Sequence, residues 1–299
     1  MRIGLSTGYT ETFWGDWFTA KQIGGSERIV VRLGEELARA GHSVTTRLPY
    51  EGDEFTRAGV RYAPLSAGRS TFDLIFAFDD FAVRDVGRTV LVACRSDPPR
   101  HTAFDEMIFL SQHHARLMGH PDRPSVGGGV DLADYGDKKR LPQRVICTSS
   151  PDRCPLASRI GADFDFRHSY RPVGGVGKEL DRAALIDLQR TAMVHIYPLD
   201  PVRPSDFFSM SVLESLAAGT PVVVSDADSM PELWSDVTLM LSRPIRLAEW
   251  HEAVEWLLTD KRKWKRMSEA GKKKAADLTW EKQASRYLAI AMDRKAEAA

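Results

Sequence analysis

The sequence predicts an α/β fold in which two Rossmann-like domains face a central cleft, and three observations carry that expectation. Short β-rich apolar runs alternate with helical stretches through both halves of the 299-residue chain. Several runs, FDLIFAF and TVLVACR among them, are apolar almost throughout, as strands covered on both faces are. A polar, basic stretch, DKKRLPQR, separates the halves. The expected domains are residues 1–142 and 143–282, with 283–299 a C-terminal helix placed back against the first domain.

In chain order, RIGLST opens the first strand and Gly24 to Gly41 forms the first long helix, with a polar start and a glycine stop. HSVTTRL, VRYAPL, FDLIFAF and TVLVACR follow as strands. The second half repeats the alternation with RVICTS, FDFRHSY, a helix near Lys178 to Arg190, AMVHIYP, a helix containing Glu214, PVVVSD and VTLMLS. From Leu247 onward the chain reads as helical.

Composition sets outer limits. Apolar residues at 43% and charged residues at 27% describe a water-soluble globular chain, and 41 cations balance 41 acids. No global field therefore draws it to nucleic acid or anionic membrane. Cys94, Cys147 and Cys154 are odd in number and lack C-x-x-C spacing, which favours buried or idle thiols in a reducing compartment. MRIGLST lacks a signal-peptide core and no apolar run reaches membrane-spanning length, so a cytoplasmic location is expected.

The most informative stretch runs from Thr191 to Leu233. It orders a buried strand, a loop with Asp206, a helix opening, Glu214, the small-residue turn AAGTP and a second buried strand. Two carboxylates then lie near the carboxyl end of a parallel sheet, where open α/β folds bind ligands. Ionised carboxylates accept hydrogen bonds from sugar hydroxyls. The spacing is weak alone, because 41 acids in 299 residues give roughly five such pairs by chance. By themselves, without the flanking pattern, the two acids read sooner as a capping Asp and a solvated helix Glu than as a binding pair. Among the glycine turns, GGSE at Gly24 to Glu27 offers a helix N-terminus to a diphosphate, or simply a cap at Ser26. GGGVD at Gly127 to Asp131 permits close backbone approach. Gly174-Gly175-Val176-Gly177 lacks the lysine-serine ending of a phosphate-binding P-loop.

Taken in order, GGSERIV, GGVD, RVICTSSPDRCPL, AMVHIYP and SDFFSMSVLESLAAGTPVVVSDADSMPEL resemble the family 4 (group 1) glycosyltransferases of the GT-B fold. The resemblance runs from Met1 to about Trp280 and is strongest from Tyr197 to Glu232. It implies a retaining, metal-independent transfer of a sugar from a UDP- or GDP-type nucleotide-sugar, used as co-substrate with no bound cofactor. Glu214 then resembles the glutamate that contacts the ribose, and Asp206 the carboxylate that holds the sugar hydroxyls. The backbone from Phe208 through Ser209 and Met210 to Ser211 is similar to the segment lining the diphosphate pocket. Arg153 is similar to the arginine that neutralises the leaving diphosphate, and Gly25 to the loop glycine beside it. The sequence also departs from the pattern. Asp206 stands for the usual glutamate, Cys154 for a frequent glycine, and the turn before Val130 lacks its asparagine. The lysine that partners the arginine has no clear match, Lys178 being the nearest candidate.

The acceptor is less legible. Trp14, Asp16 and Trp17 lie in the loop after the first strand, where aromatic faces stack on an acceptor and a carboxylate orients its hydroxyl. Trp14, Trp17 and Phe18 also have the spacing of a small packed helix. His101 is a further acceptor-side candidate. Lys261 to Lys274 carries eight cations and one glutamate, either a solvated helix face or a surface for an anionic partner. The acceptor is expected to be a small molecule, a saccharide or hydroxymethylated pyrimidine in DNA. A non-catalytic nucleotide-sugar-binding relative is the other reading.

Overall fold

The apolar runs form two sheets, and their buried faces follow from composition. The computed structural model describes residues 1–7, 24–50, 52–78, 85–95, 104–170, 180–200 and 204–293. Trp14, Asp16, Trp17, His101 and Lys178 lie outside the described residues.

The chain opens with strand β1 (Arg2–Thr7), helix α1 (Gly25–Arg39) and strands β2 (Ser43–Leu48), β3 (Phe55–Arg57), β4 (Val60–Pro64), β5 (Thr71–Phe78), β6 (Val86–Ala93) and β7 (Glu106–Phe109), then helix α2 (Gln112–Leu117). The sheet order is β3-β4-β2-β1-β5-β6-β7, parallel except for the antiparallel β3–β4 edge. Chain progression reverses direction across β1, which pairs with β2 on one side and β5 on the other. Helix α1 starts at Gly25, and its N-cap is Gly24, not Ser26. Its inner face of Ile29, Val30, Leu33 and Leu37 is buried.

A 3-10 turn at Leu132–Tyr135 precedes β8 (Arg144–Cys147), α3 (Ala157–Ile160), β9 (Asp165–His168), α4 (Arg182–Thr191), β10 (Val194–Tyr197), α5 (Met210–Ala217), β11 (Val222–Ser225), α6 (Met230–Trp234), β12 (Leu239–Leu241), α7 (Leu247–Thr259) and α8 (Lys261–Ala276). The second sheet has the order β12-β11-β10-β8-β9 and is parallel throughout. Its core joins Val145, Ile196 and Val223 of the strands to Trp250, Val254 and Leu257 of α7. The final helix, α9 (Trp280–Met292), packs with α1; its Tyr287 hydroxyl donates to the Val126 carbonyl at 2.7 Å.

The chain divides into two compact units, Met1–Gly128 with Trp280–Ala299, and Gly129–Thr279. The boundary read from sequence at 142/143 falls inside the second unit. Residues 129–142 are tied there by the bridge from Val130 to Thr279, by Leu141 N–H donating to the Thr191 carbonyl at 2.8 Å, and by Arg140. The half-buried Arg140 guanidinium donates to the carbonyls of Ala192 at 3.0 Å and Ala218, and to the Thr220 hydroxyl at 2.5 Å. One side chain thus satisfies backbone groups at the ends of α4 and α5.

The turn between α5 and β11 needs its glycine. Gly219 has φ +69, and a Cβ there would lie 2.5 Å from the Lys272 side chain of α8. Gly271 of α8 likewise faces Leu216 at 2.9 Å from a virtual Cβ, so α5 and α8 meet closely.

Candidate functional site

Strand β8 pairs with β9 on one side and β10 on the other, so chain progression reverses between β8 and β10. Such a switch point opens a crevice at the strands' carboxyl ends. Thr148 to Arg153 follow β8 there, and Asp206 with the start of α5 follows β10.

Strand β10 organises both acids. His195 and Tyr197 alternate along it and share a face, with ring centroids 5.8 Å apart. The buried Tyr197 hydroxyl donates to Asp206 Oδ2, and Arg153 Nη1 lies 3.5 Å from that oxygen. Arg153 also donates to the Ser205 carbonyl at 3.3 Å. The Asp206 N–H donates to Asp228 Oδ2 at 3.0 Å, and the Ser229 hydroxyl donates to the Asp206 carbonyl at 2.9 Å. Asp206 is 3% exposed, and because Ser209 is the N-cap of α5, Asp206 is not the capping residue. Burial pushes its carboxyl above the ordinary aspartate range, Arg153 and Tyr197 pull it down, and Asp228 pushes it up.

Glu214, in the second turn of α5, is also 3% exposed, which excludes the solvated-glutamate reading. Its Oε1 accepts from Arg182 Nη1 at 2.7 Å and its Oε2 from Gln189 Nε2 at 3.2 Å. Arg182 Nη2 donates to the Tyr135 hydroxyl at 2.9 Å. The two acids therefore sit over one strand with separate sets of partners.

Helix α5 is capped by Ser209, whose side chain accepts from the Val212 N–H at 3.3 Å. Ser211 Oγ donates to the Thr148 carbonyl at 2.7 Å, tying the helix opening to the loop after β8. Phe208 packs edge-on to Trp234 at 5.5 Å, and Met210 is half-buried. Asp206, Glu214, Arg153 and the Phe208–Ser211 segment thus all belong to the second unit, whereas Gly25 opens α1 in the first. Sequence reasoning missed Arg182, Gln189, Tyr135, Tyr197 and Asp228. A tyrosine closing a buried strand beside the acidic motif was the one available signal.

His195 is fully buried, and its ring titrates at about 3, lowered first by burial, then opposed by Glu214 and reinforced by His168. Because the folded value lies below 6.5, the neutral ring contributes stability that is complete above pH 6.5 and is lost as pH falls toward about 3. His195→Gln is expected to flatten part of the acid-side decline in the urea midpoint between about pH 6.5 and 4, a contribution on the order of a few kcal/mol. An unchanged slope would exclude His195 as the titrating group.

The Cys147 and Cys154 thiols are free, buried and in contact behind the loop that carries Arg153. Among the described residues, no helix is long and apolar enough to cross a membrane.

Residues 176–274 match the family model of group 1 glycosyl transferases. No curated protein sequence matches the chain. Among solved structures, the chain resembles AviGT4, a glycosyltransferase involved in avilamycin A biosynthesis, at TM-score 0.72 and 16% identity, covering 100% of this chain and 98% of that one. It resembles sucrose-phosphate synthase from Thermosynechococcus elongatus at TM-score 0.70 and 14% identity, covering 97% and 98%. WaaG, a glycosyltransferase involved in lipopolysaccharide biosynthesis, follows at TM-score 0.67 and 12% identity, covering 97% and 99%. At these identities the structural likeness is one of fold, and the matched segment contains both Asp206 and Glu214. The chain therefore has the GT-B fold of these glycosyltransferases and, over residues 176–274, bears out its resemblance to the group 1 glycosyl transferases.

Proposed function

We propose that the protein is a retaining glycosyltransferase that moves a sugar from a UDP- or GDP-type nucleotide-sugar to a hydroxyl acceptor. The observation that carries this reading is the placement of two buried, hydrogen-bonded carboxylates over β10, within the group 1 match. In this reading Glu214 accepts from the ribose hydroxyls and Asp206 from hydroxyls of the transferred sugar. The bond between the anomeric carbon and the diphosphate oxygen breaks, and its electron pair leaves with the nucleoside diphosphate. The acceptor oxygen bonds to the same face of that carbon, and its proton passes to the departing phosphate.

Negative charge grows on the diphosphate as it leaves. Arg153, 33% exposed at its side chain, and the backbone N–H groups of the Phe208–Ser211 segment that leads into the first turn of α5 supply compensating positive charge without a metal. By the same family resemblance, Gly25 and Lys178 are the further residues assigned to the donor diphosphate. The acceptor meets Trp14, Asp16, Trp17 and His101, and is a small molecule, a saccharide or a hydroxymethylated base in DNA.

A thermal-shift panel of UDP-, GDP- and ADP-sugars tests the donor assignment. At least one is expected to raise Tm by several degrees, since a ligand at a hundred times its Kd stabilises by about 2.7 kcal/mol. No shift with any donor would contradict it. Mass spectrometry of acceptors incubated with the best donor, hydroxymethylated and plain duplex DNA included, then separates the acceptor classes. Binding without any product identifies the non-catalytic alternative.

A further inference from the structure

Arg182 stands at the first position of α4, directly after the N-cap Asp181, whose carboxylate accepts from the Ala184 N–H at 2.7 Å. A cation at a helix N-terminus opposes the helix dipole, so propensity does not explain an arginine there. Its side chain runs to Glu214, whose own side chain is 4% exposed while that of Arg182 is 34% exposed. A carboxylate so deeply buried stays ionised only beside a compensating cation and hydrogen-bond donors.

The guanidinium is held from its other side as well. Its Nη2 donates to the Tyr135 hydroxyl at 2.9 Å, it lies 5.9 Å from the Tyr135 ring centroid, and Asp134 Oδ2 is 3.9 Å away. Tyr135 is itself buried. One planar fork therefore serves Glu214 and Tyr135 together, a geometry an ammonium group does not reproduce. Arg182 and Gln189 each engage one of the two Glu214 oxygens.

We infer that Arg182, braced by Tyr135, is a positioning residue for the nucleotide end of the donor site: it holds the Glu214 carboxylate ionised and aimed to accept the ribose hydroxyls of a nucleoside diphosphate. This rests on the donor-site reading of Glu214 given above. Among the described residues, titratable and charged neighbours include Arg182 of α4 and the neutral His195 of β10 around Glu214, with Tyr135 and Asp134 of the 3-10 turn around Arg182.

The test is calorimetric titration of UDP and GDP into the full chain and into Arg182→Met, Arg182→Lys, Tyr135→Phe and Glu214→Gln, between about pH 5.5 and 8.5. Arg182→Met is expected to weaken the better nucleotide by about 10- to 100-fold. The loss should be greatest at low pH and shrink as pH rises, because Glu214 without its cation ionises only at higher pH. Arg182→Lys should recover part of the affinity, and Tyr135→Phe should show a smaller loss of the same pH form. A purely structural role lowers Tm without bending the pH profile. If Arg182→Met does not fold, Arg182→Lys and Tyr135→Phe carry the same readout. Unaltered affinity and a flat profile in the Arg182 and Tyr135 variants, with Glu214→Gln impaired, overturn the inference alone. Unaltered affinity in Glu214→Gln overturns the donor-site reading beneath it.

Discussion

Arg153→Ala is expected to lower turnover by about 100- to 1000-fold while raising KM much less, measured by product formation at saturating donor. The magnitude is that of losing one preorganised group aimed at charge that develops only as the bond breaks. Arg153 Nη1 sits 3.5 Å from Asp206 Oδ2, with its side chain 33% exposed. A diphosphate entering beside it offers a second anionic partner, so the cation is pre-positioned but not sequestered. Arg153→Lys should retain part of the activity, because the charge survives and the planar fork is lost. Equal losses in both variants would point to shape, not charge. Unchanged turnover in Arg153→Ala would remove it from the machinery.

Asp206→Asn should raise Tm at neutral pH and lower turnover by about 100-fold, so that stability and activity move in opposite directions. The sign follows from burial. Its carboxyl is pushed above the ordinary aspartate range, so the folded state holds this proton more tightly than the unfolded chain does. The contribution of Asp206 to stability is full below the unfolded value of about 3.9 and is lost as pH rises through the folded value. At neutral pH the ionised group is a cost, which asparagine removes while its carbonyl oxygen still accepts from Tyr197. Calorimetry at pH 7 and near pH 3.5 checks this: the gain over the native chain should vanish at the lower pH. A lower Tm at pH 7 would mean that the Arg153 pair outweighs the burial cost.

The buried strands were legible where their apolar runs are nearly continuous. β5, β6, β10 and β11 appear where FDLIFAF, TVLVACR, AMVHIYP and PVVVSD stand. Two strands were not. All three residues of β3 are exposed, so no buried face marks it, and β7 contains the buried Glu106, an acid that breaks the apolar pattern and pairs with Arg123 at 2.7 Å. The first helix gained the wrong cap because Ser26 is a better capping residue than Gly24, but backbone geometry puts Gly24 at the boundary.

The candidate site was legible as a motif and illegible as a network. Asp206 and Glu214 stood out by their flanking strand and small-residue turn, yet their burial and partners depend on contacts that sequence spacing does not encode. Arg182 reaches Glu214 across 32 positions and Tyr135 across 47. An arginine opening a helix reads as a surface residue until the carboxylate beneath it is seen. The domain boundary shifted for a similar reason: DKKRLPQR looks like a linker, but Arg140 within it is hydrogen-bonded to backbone carbonyls of the second unit.

The central claim is that Glu214 marks the nucleotide end of a working donor site. Its most direct test is mass-spectrometric measurement of sugar transfer or slow donor hydrolysis, using the nucleotide-sugar that best stabilises the native chain, with Glu214→Ala run alongside at matched folded concentration. The expected result is turnover by the native chain, and its loss in Glu214→Ala together with the donor-induced rise in Tm. Turnover and thermal shift that both survive in Glu214→Ala would contradict it.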